Sequence, residues 1–363
     1  MKEKGGQRNG RVKILCLAAL LLVGFLSVHG QYVINNPNKP LAPNAGRILK
    51  LQEVWRITDE GGEFFFKYPN KLKIADDGRI LLADREELLE FSADGVFLKN
   101  LFKKGQGPGE IGGSFTYIIA GNELYVKDYS QRRIFRMDLS GRYIDQLNLE
   151  QSYDNLIGVR DDGYLFIKSV WPPAEEMTGK LLPILDTVKL ASKDGKTVRD
   201  LHTFRTSWYM AQRAQAQWDL NIEALSDDRS LLFGSHTREY LIEVLNIAKA
   251  QIVVKFNRKY PRVRHVEEKW EDDFRKRYGL PEFEYESDVL DLLVNRDKLW
   301  VKTSSADREK GNLYDVFDFG GRYLDCFYIG SGRTLLGARG EEIFVSEKNS
   351  DESIDLVKYK IVG

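Results

Sequence analysis

One pattern of β-rich runs and turns recurs along the chain, with its tight copies spaced by about 42 to 44 residues, and it constrains the fold more than any other feature. Its clearest copy occupies residues 69–102, where Asp-Gly turns separate short apolar runs. Asp-Gly between alternating strands is a strong hairpin signal. The runs and turns of this copy are Leu72–Ala75, Asp76-Asp77-Gly78, Ile80–Ala83, Leu88–Phe91, Asp94-Gly95 and Val96–Leu98.

Five further copies follow, some with weaker turns. They begin at Tyr117, Leu156, Glu223, Val289 and Leu335. A repeat of about 40–50 residues that holds four strands is typical of a propeller blade. The sequence therefore predicts an all-β fold, a β-propeller of six four-stranded blades with one helical insertion. A four-bladed or seven-bladed ring stays open as an alternative, because the middle copies are weak.

The sixth copy is one strand short at the C-terminus. The N-terminal run Ile48–Leu51 with Val54–Ile57 offers the missing strand. A ring closed by strands from both ends of the chain leaves no exposed sheet edge. We therefore expect residues 48–57 to pair with the sheet of residues 335–361.

Three segments are too long for plain blades, and we predict insertions at 170–186, 204–220 and 258–286. The last has helical periodicity, with an apolar residue at every fourth position and acidic residues before basic ones. Gly279 and Pro281 indicate where the helix ends. The apolar stripe comprises Val266, Trp270, Phe274 and Tyr278.

The first thirty residues have the organisation of a secretory signal peptide. Five basic residues lie within positions 2–13, and the apolar run Ile14–Val28 follows. Val28 and Gly30 suit the −3 and −1 positions of a cleavage site before Gln31. An uncleaved membrane anchor is the alternative, although the run is shorter than the ~20 residues of a spanning helix. We predict a signal peptide (1–30), an N-terminal linker (31–46), one propeller domain (47–363), and a periplasmic or secreted protein.

Charge and cysteine content exclude several classes of protein. The chain has 54 basic and 54 acidic residues; residues 1–30 hold five basic and one acidic, so the mature chain has a net charge of −4. That balance argues against nucleic acid as a partner. We also expect no membrane association after cleavage, and a monomer. Cys326 is the only cysteine of the mature chain, which precludes an internal disulfide, and its apolar surroundings predict a small core residue.

Two stretches resemble the NHL repeat family of propellers. The first, residues 126–141, has a strand ending at Asp128, a polar turn, Arg133-Ile134 and an apolar strand to Gly141. The second, residues 105–111, resembles the Gly-x-Gly-Pro-Gly linker between NHL blades. The whole pattern is also similar to the six-bladed propellers exported by Bacteroidetes-like bacteria. The resemblance implies the fold more than an activity, since NHL-like propellers include scaffolds, ligand binders and a few enzymes.

Compact catalytic motifs are absent. The glycine-rich loop 105–110 lacks the Gly-Lys-Ser/Thr ending of a P-loop, and no Gly-x-Ser-x-Gly elbow occurs. His202, His236 and His265 have no metal-type spacing. For Asp128 and Arg133 we expect a salt bridge within one blade.

The insertions are rich in aromatic residues, which on loops over a rigid scaffold favour a ligand-binding face. Packing of the insertions on each other is the competing interpretation. The candidate ligand-binding residues are Trp171, Trp208, Tyr209, Trp218 and Trp270. A basic patch of Arg258, Lys259, Arg262 and Arg264 is interpreted as a solvated face rather than an anion site.

Two functions remain. The first is a non-enzymatic binding or protein-interaction module outside the cytoplasm, whose partner is an unknown protein or small molecule and which needs no evident cofactor. The second is a channel-centred hydrolase such as a calcium-dependent lactonase, for which Glu110, Asn155 and Asp288 are residues to inspect. Carboxylates and amides that converge in the central channel within metal-bonding distance would favour the enzyme.

Overall fold

The structure is a computed structural model that describes residues 33–58, 62, 64–149, 153–173, 179–210 and 215–362. The predicted signal peptide, residues 1–30, lies outside the described residues. Among the described residues, no helix is long and apolar enough to cross a membrane.

The N-terminal segment contributes three strands, each to a different sheet. They are β1 (Val33–Asn36), β2 (Arg47–Ile48) and β3 (Leu51–Ile57). β1 lies in the segment that the sequence analysis treats as a linker, and β2 directly follows that segment.

The first two blades are four-stranded antiparallel sheets, and each follows the predicted repeat strand by strand. Blade 1 contains β4 (Pro69–Ile74), β5 (Ile80–Asp84), β6 (Glu87–Phe91) and β7 (Phe97–Asn100). Blade 2 contains β8 (Phe115–Ala120), β9 (Glu123–Asp128), β10 (Arg133–Asp138) and β11 (Tyr143–Asn148).

Blades 3 and 4 each have five strands. Blade 3 contains β12 (Asn155–Arg160), β13 (Gly163–Val170), β14 (Lys180–Ala191), β15 (Val198–Met210) and β16 (Gln215–Asp219). Blade 4 contains β17 (Asn221–Leu225), β18 (Leu231–His236), β19 (Leu241–Asn246) and β20 (Gln251–Arg258), and β1 pairs with β20 in parallel.

Blade 5 also has five strands, and blade 6 has four. Blade 5 contains β21 (Val289–Asn295), β22 (Lys298–Asp307), β23 (Gly311–Asp318) and β24 (Tyr323–Tyr328), and β2 pairs with β24 in parallel. Blade 6 contains β25 (Arg333–Arg339), β26 (Glu342–Lys348), β27 (Ile354–Ile361) and β3. The six predicted blades are confirmed, but three of them carry a fifth strand that the sequence pattern did not indicate.

Strands from the two ends of the chain close the ring. β3 pairs antiparallel with β27, from Leu51 opposite Ile361 to Ile57 opposite Leu356. This confirms the predicted closure. β1 and β2 lie on blades 4 and 5, so the N-terminal segment contributes an edge strand to three consecutive blades.

The apolar core is divided among the interfaces between blades. In the described part of the chain six buried clusters occur, one between each pair of neighbouring blades. Alternate residues of a propeller strand face opposite neighbours, so each sheet contributes to two clusters. Cys326 is buried in the cluster between blades 4 and 5, as the sequence predicts.

Close packing requires glycine at position 95, in the turn between β6 and β7 of blade 1. Gly95 has a φ of +82°, and a Cβ built on it would lie 2.9 Å from Cδ2 of Trp55 on β3. The Asp94-Gly95 turn of blade 1 therefore fits the closing strand of blade 6 only because residue 95 has no side chain.

The insertions take two forms. Those at 170–186 and 204–220 largely form one long extension of the β14–β15 hairpin, which pairs from Lys180–Met210 to Ala191–Val198. The third contains helix α1 (Lys269–Tyr278), which Gly279 ends in the left-handed conformation as predicted. The predicted stripe is not buried: Val266 precedes α1, and Trp270 is 63% and Phe274 47% exposed.

Candidate functional site

A cavity of about 800 Å³ lies at the centre of the ring, where all six inner strands meet. Residues from β4, β8, β12, β17, β21 and β25 line it. Its lining includes five basic residues, Lys71, Lys73, Arg229, Arg296 and Arg339, and three acidic residues, Asp76, Glu223 and Asp227. Concave sites of roughly 300–1,000 Å³ are typical of small-molecule binding.

Two lysines on β4 are exposed to this cavity. The intervening Leu72 is buried between blades 6 and 1. Lys71 lies in a bulge of the strand with a φ of +50°, and the hydroxyl of Tyr117 donates to its carbonyl oxygen. A bulge of this kind redirects side chains at a site. The bulge lies between Asn70 and Lys73, beside the stretch of β4 from which both lysines line the cavity.

Neither ammonium group has a counter-ion close by. Among the described residues, no carboxylate oxygen lies within 4.0 Å of Nζ of Lys71 or Lys73. Burial lowers the pKa of Lys71, and it also lowers the pKa of Lys73, which the charge of Asp291 partly opposes. The surroundings of the cavity thus disfavour the charged form of both side chains.

Glu223 lies on β17, the inner strand three blades away and hence on the opposite side of the ring. Nδ2 of Asn221 donates to its Oε1 at 2.7 Å. Burial raises the pKa of Glu223 to about 8, and the charge of Asp186 adds to this shift. Its carboxyl group is therefore largely protonated at neutral pH and can donate a hydrogen bond.

Asn155 lines the cavity on β12 and is linked through Tyr129 to Lys127, another residue with a shifted pKa. The hydroxyl of Tyr129 donates to Oδ1 of Asn155 at 3.3 Å, and Nζ of Lys127 lies 4.0 Å from the centre of the Tyr129 ring. Burial lowers the pKa of Lys127 to about 8. Groups with shifted pKa values gathered at a cavity are candidates for function.

The fold of the chain has counterparts among known structures and families. A family model (DUF5128) described as a 6-bladed beta-propeller matches residues 59–187. No curated protein sequence matches the chain. The chain is a six-bladed β-propeller.

Two solved structures match most of the chain in fold. A Bacteroides fragilis protein whose name describes it as exported is 11% identical, with a TM-score of 0.60 over 92% of this chain and 100% of its own. A member of the DUF4221 family from Bacteroides vulgatus is 10% identical, with a TM-score of 0.52 over 87% and 99% of the two chains. At these identities the similarity concerns the fold alone.

The predicted aromatic residues lie on the insertions of the propeller, and none of them lines the cavity. Trp171 and Trp208 are in contact, with ring centres 5.1 Å apart. Trp218 instead packs on Phe283 of the third insertion at 5.0 Å. Tyr209 is half-buried, and Trp270 on α1 is exposed. The structure thus brings Trp171 and Trp208 together. The contact of Trp218 with Phe283 is packing of one insertion on another, which was the competing interpretation.

The residues to inspect for a metal are separated in the structure. Glu110 accepts a hydrogen bond from the backbone N–H of Gly107, and Asp288 pairs with Arg262 at 3.0 Å. Only Asn155 lines the cavity. Within the described ranges, no group of three or more His, Cys, Asp or Glu side chains is placed to hold a metal ion.

Two expectations about charged residues need correction. Asp128 and Arg133 form no salt bridge: Asp128 accepts from the N–H groups of Gly112 and Ser130, while Arg133 donates to the carbonyl oxygens of Gly107 and Glu110. Both side chains serve the backbone of the glycine-rich linker and turn, whose buried polar groups require partners.

The basic patch before α1 is not one solvated surface. Arg258 is buried and its Nε donates to Oδ2 of Asp315 at 2.6 Å. Lys259 and Arg264 are exposed, and Arg262 pairs with Asp288. A buried carboxylate on the neighbouring blade 5 explains the burial of Arg258, and no sequence signal pointed to this pair.

Lys71, Lys73 and Glu223 were not among the residues predicted from the sequence to form a site. The available signal is their position: Lys73 lies in the first predicted run of its repeat, Lys71 directly precedes that run, and Glu223 begins the fourth repeat, and the structure shows that these first strands line the ring centre. That signal becomes usable only after the blades are aligned.

Proposed function

We propose that this propeller is an exported binding protein that takes a small polar ligand into its central cavity. The observation that carries the proposal is the cavity itself, because all six inner strands line it, and because Lys71 and Lys73 line it with no carboxylate of the described residues within 4.0 Å of their Nζ atoms. Its volume of about 800 Å³ suits a molecule of the size of a mono- to trisaccharide. Polar groups that converge in a concave site fix the orientation of a ligand.

The aromatic residues of the insertions remain a second candidate contact surface. Trp171 and Trp270 are 40% and 63% exposed, and exposed aromatic side chains are frequent anchors at interfaces. We propose that this surface contacts a larger partner, such as a protein, outside the cavity. We also propose that the repeats are NHL-like, since Arg133 of the motif binds the linker that the resemblance identified.

Ligand-detected NMR on the mature protein tests cavity binding, with a panel of carbohydrates and lactones and with metal analysis of the same sample. Asn155→Trp should reduce binding because the larger side chain fills the cavity. The substitution should disturb the fold little, since it removes one long hydrogen bond, which the Asn155 amide oxygen accepts from Tyr129 at 3.3 Å. Asn148→Trp is the matched control, because Asn148 is exposed on the outer strand β11. Binding that survives Asn155→Trp unchanged would place the ligand elsewhere. Turnover of a lactone, or a bound metal, would favour the hydrolase.

Export is tested separately. When the full chain is expressed in a Gram-negative host, the protein should appear in the periplasm with Gln31 or a close neighbour as its first residue. A full-length product retained in the inner membrane would contradict this part of the proposal.

A further inference from the structure

We infer that the ligand is a small acid whose carboxylate or phosphate group binds between the side chains of Lys71 and Lys73. This inference rests on the proposed cavity function and narrows its ligand class. It depends on three features of the cavity: unpaired cations, an excess of basic residues and a neutral donor on the far side.

The unpaired cations are the first feature. Desolvating an ammonium group is costly unless a charge or hydrogen-bond partner compensates for it. Within the described residues, Lys71 and Lys73 have no carboxylate within 4.0 Å, and Asp291 acts on Lys73 only from beyond that distance. An oxyanion between the two groups would supply charge-assisted hydrogen bonds to both.

The charge of the lining is the second feature. Five basic and three acidic residues line the cavity, and the pKa of Glu223, raised by burial, leaves that carboxyl group largely neutral near pH 7. A low-dielectric cavity with an excess of one charge concentrates ligands of the opposite charge. The lining of the cavity therefore has a net positive charge where an acid would bind.

The opposite wall is the third feature. Glu223 on β17 faces the ring centre from the side opposite to β4, and its protonated carboxyl group donates rather than repels. A ligand that carries an acid group at one end and a neutral oxygen acceptor, such as a hydroxyl, at the other would satisfy both walls. Hydroxy acids and sugar acids or phosphates have this chemistry.

The backbone conformation of β4 at Lys71 supports the placement of an acid group beside the two lysines. Lys71 has a φ of +50°, which is unusual for a residue other than glycine, and Tyr117 binds its carbonyl oxygen. Local strain of this kind is commonly found at functional sites. A plain strand that turned this side chain away would avoid the strain.

Titration calorimetry with four probes of one ring shape tests the charge requirement: D-glucuronate, D-glucose 6-phosphate, D-glucose and D-glucosamine. We expect the acidic probes to bind at least about tenfold more tightly than glucose, since hydrogen bonds to charged groups are the stronger class. The two acidic probes distinguish a carboxylate from a phosphate ligand.

Lys71→Met and Lys73→Met remove each charge and keep the length of the side chain. Each should weaken the acidic probes by about tenfold and leave glucose unchanged. Lys249→Met is the matched control, because Lys249 is exposed in a turn outside the cavity and should behave as the native protein. Equal binding of all four probes, or acidic binding that both variants retain, overturns the inference. Loss of that binding in Asn155→Trp would then still support the cavity function.

A second measurement does not depend on a sugar ring. In the ¹³C-dimethyl-lysine NMR spectrum, addition of citrate or pyrophosphate should shift the signals of Lys71 and Lys73 and raise their pKa values, while Lys249 stays unchanged. Movement of these two signals supports an acid site even if no sugar binds. Unmoved signals together with no binding of the acidic probes overturn the inference.

Discussion

Nη1 of Arg56 on β3 donates to Oδ2 of Asp355 on β27 at 2.8 Å and so joins the N-terminal strand to the C-terminal one. The same guanidinium pairs with Glu347 of β26 at 2.8 Å. The bonds span 299 and 291 residues of sequence. Ring closure thus combines a strand pairing with a small ionic network.

Deletion of residues 31–60 should destabilise the entire ring. It removes edge strands from blades 4, 5 and 6 and the buried side chains of Leu49 and Ile57. We expect a loss of about 3 kcal/mol or more in the free energy of unfolding, because each buried aliphatic side chain contributes about 1.5–3 kcal/mol. Thermal unfolding by circular dichroism and size-exclusion chromatography measure it. A truncated chain that stays monomeric with an unchanged melting temperature would show that the ring closes in another way.

Arg56→Met isolates the ionic part of the closure. Glu347 and Asp355 are largely buried, so the variant leaves carboxylates without their partner, and we expect a loss of about 1–3 kcal/mol. Arg142→Met is the control, since Arg142 is 81% exposed and its pair with Asp138 should contribute less than about 1 kcal/mol. Urea denaturation compares the two. Equal losses of stability in the two variants would show that the ion pairs of Arg56 do not stabilise the ring closure.

Asp315→Asn should be strongly destabilising. Its carboxylate accepts from Arg258, Tyr240 and Tyr323, each at 2.6 Å, and all of its surroundings are buried. Leaving the Arg258 charge unpaired in the interior costs about 3–5 kcal/mol. Asp200→Asn, whose side chain is the exposed member of a pair with Lys189, should cost less than about 1 kcal/mol. If Arg258→Met combined with Asp315→Asn is no milder than Asp315→Asn alone, the unpaired charge is not the cause.

Glu223 should make stability depend on pH. Its native pKa of about 8 lies above its ordinary value of 4.5, so between these pH values the native state holds a proton that the unfolded state has lost. Stability from this group is fully present below about pH 4.5 and is lost as pH rises to about 8. Glu223→Gln should therefore gain stability relative to the native protein by about 1 kcal/mol or more at pH 8 and little at pH 4. A pH-independent difference in denaturation midpoint would contradict the assignment.

Arg133→Met should loosen the linker between blades 1 and 2. The guanidinium donates to the carbonyl oxygens of Gly107 and Glu110. Its loss removes the donor to the Glu110 carbonyl and leaves the Gly107 carbonyl with only the Glu110 N–H. We expect faster proteolysis within residues 105–111 and a loss of about 1–3 kcal/mol. Arg132→Met, an exposed neighbour in the turn, should change neither.

The sequence determined the blades of this protein, because their signals are local. The Asp-Gly turns at Gly78 and Gly95 and the apolar runs between them specify hairpins within a few residues. Even the missing sixth-blade strand followed from counting, and β3 supplies it. The end of α1 at Gly279 followed for the same reason, since capping depends on adjacent residues.

Only the tertiary structure decided which distant residues meet. The pairing of Arg258 with Asp315 joins blades 4 and 5. β1 and β2 form edge strands of these blades, although no periodicity in residues 33–48 predicts strands there. Lys73 and Glu223 lie 150 residues apart in the chain, yet the six-fold ring places them on opposite walls of one cavity. A repeat in sequence indicates the blades, but the ring geometry decides what faces the centre, because every inner strand turns one edge toward the same axis.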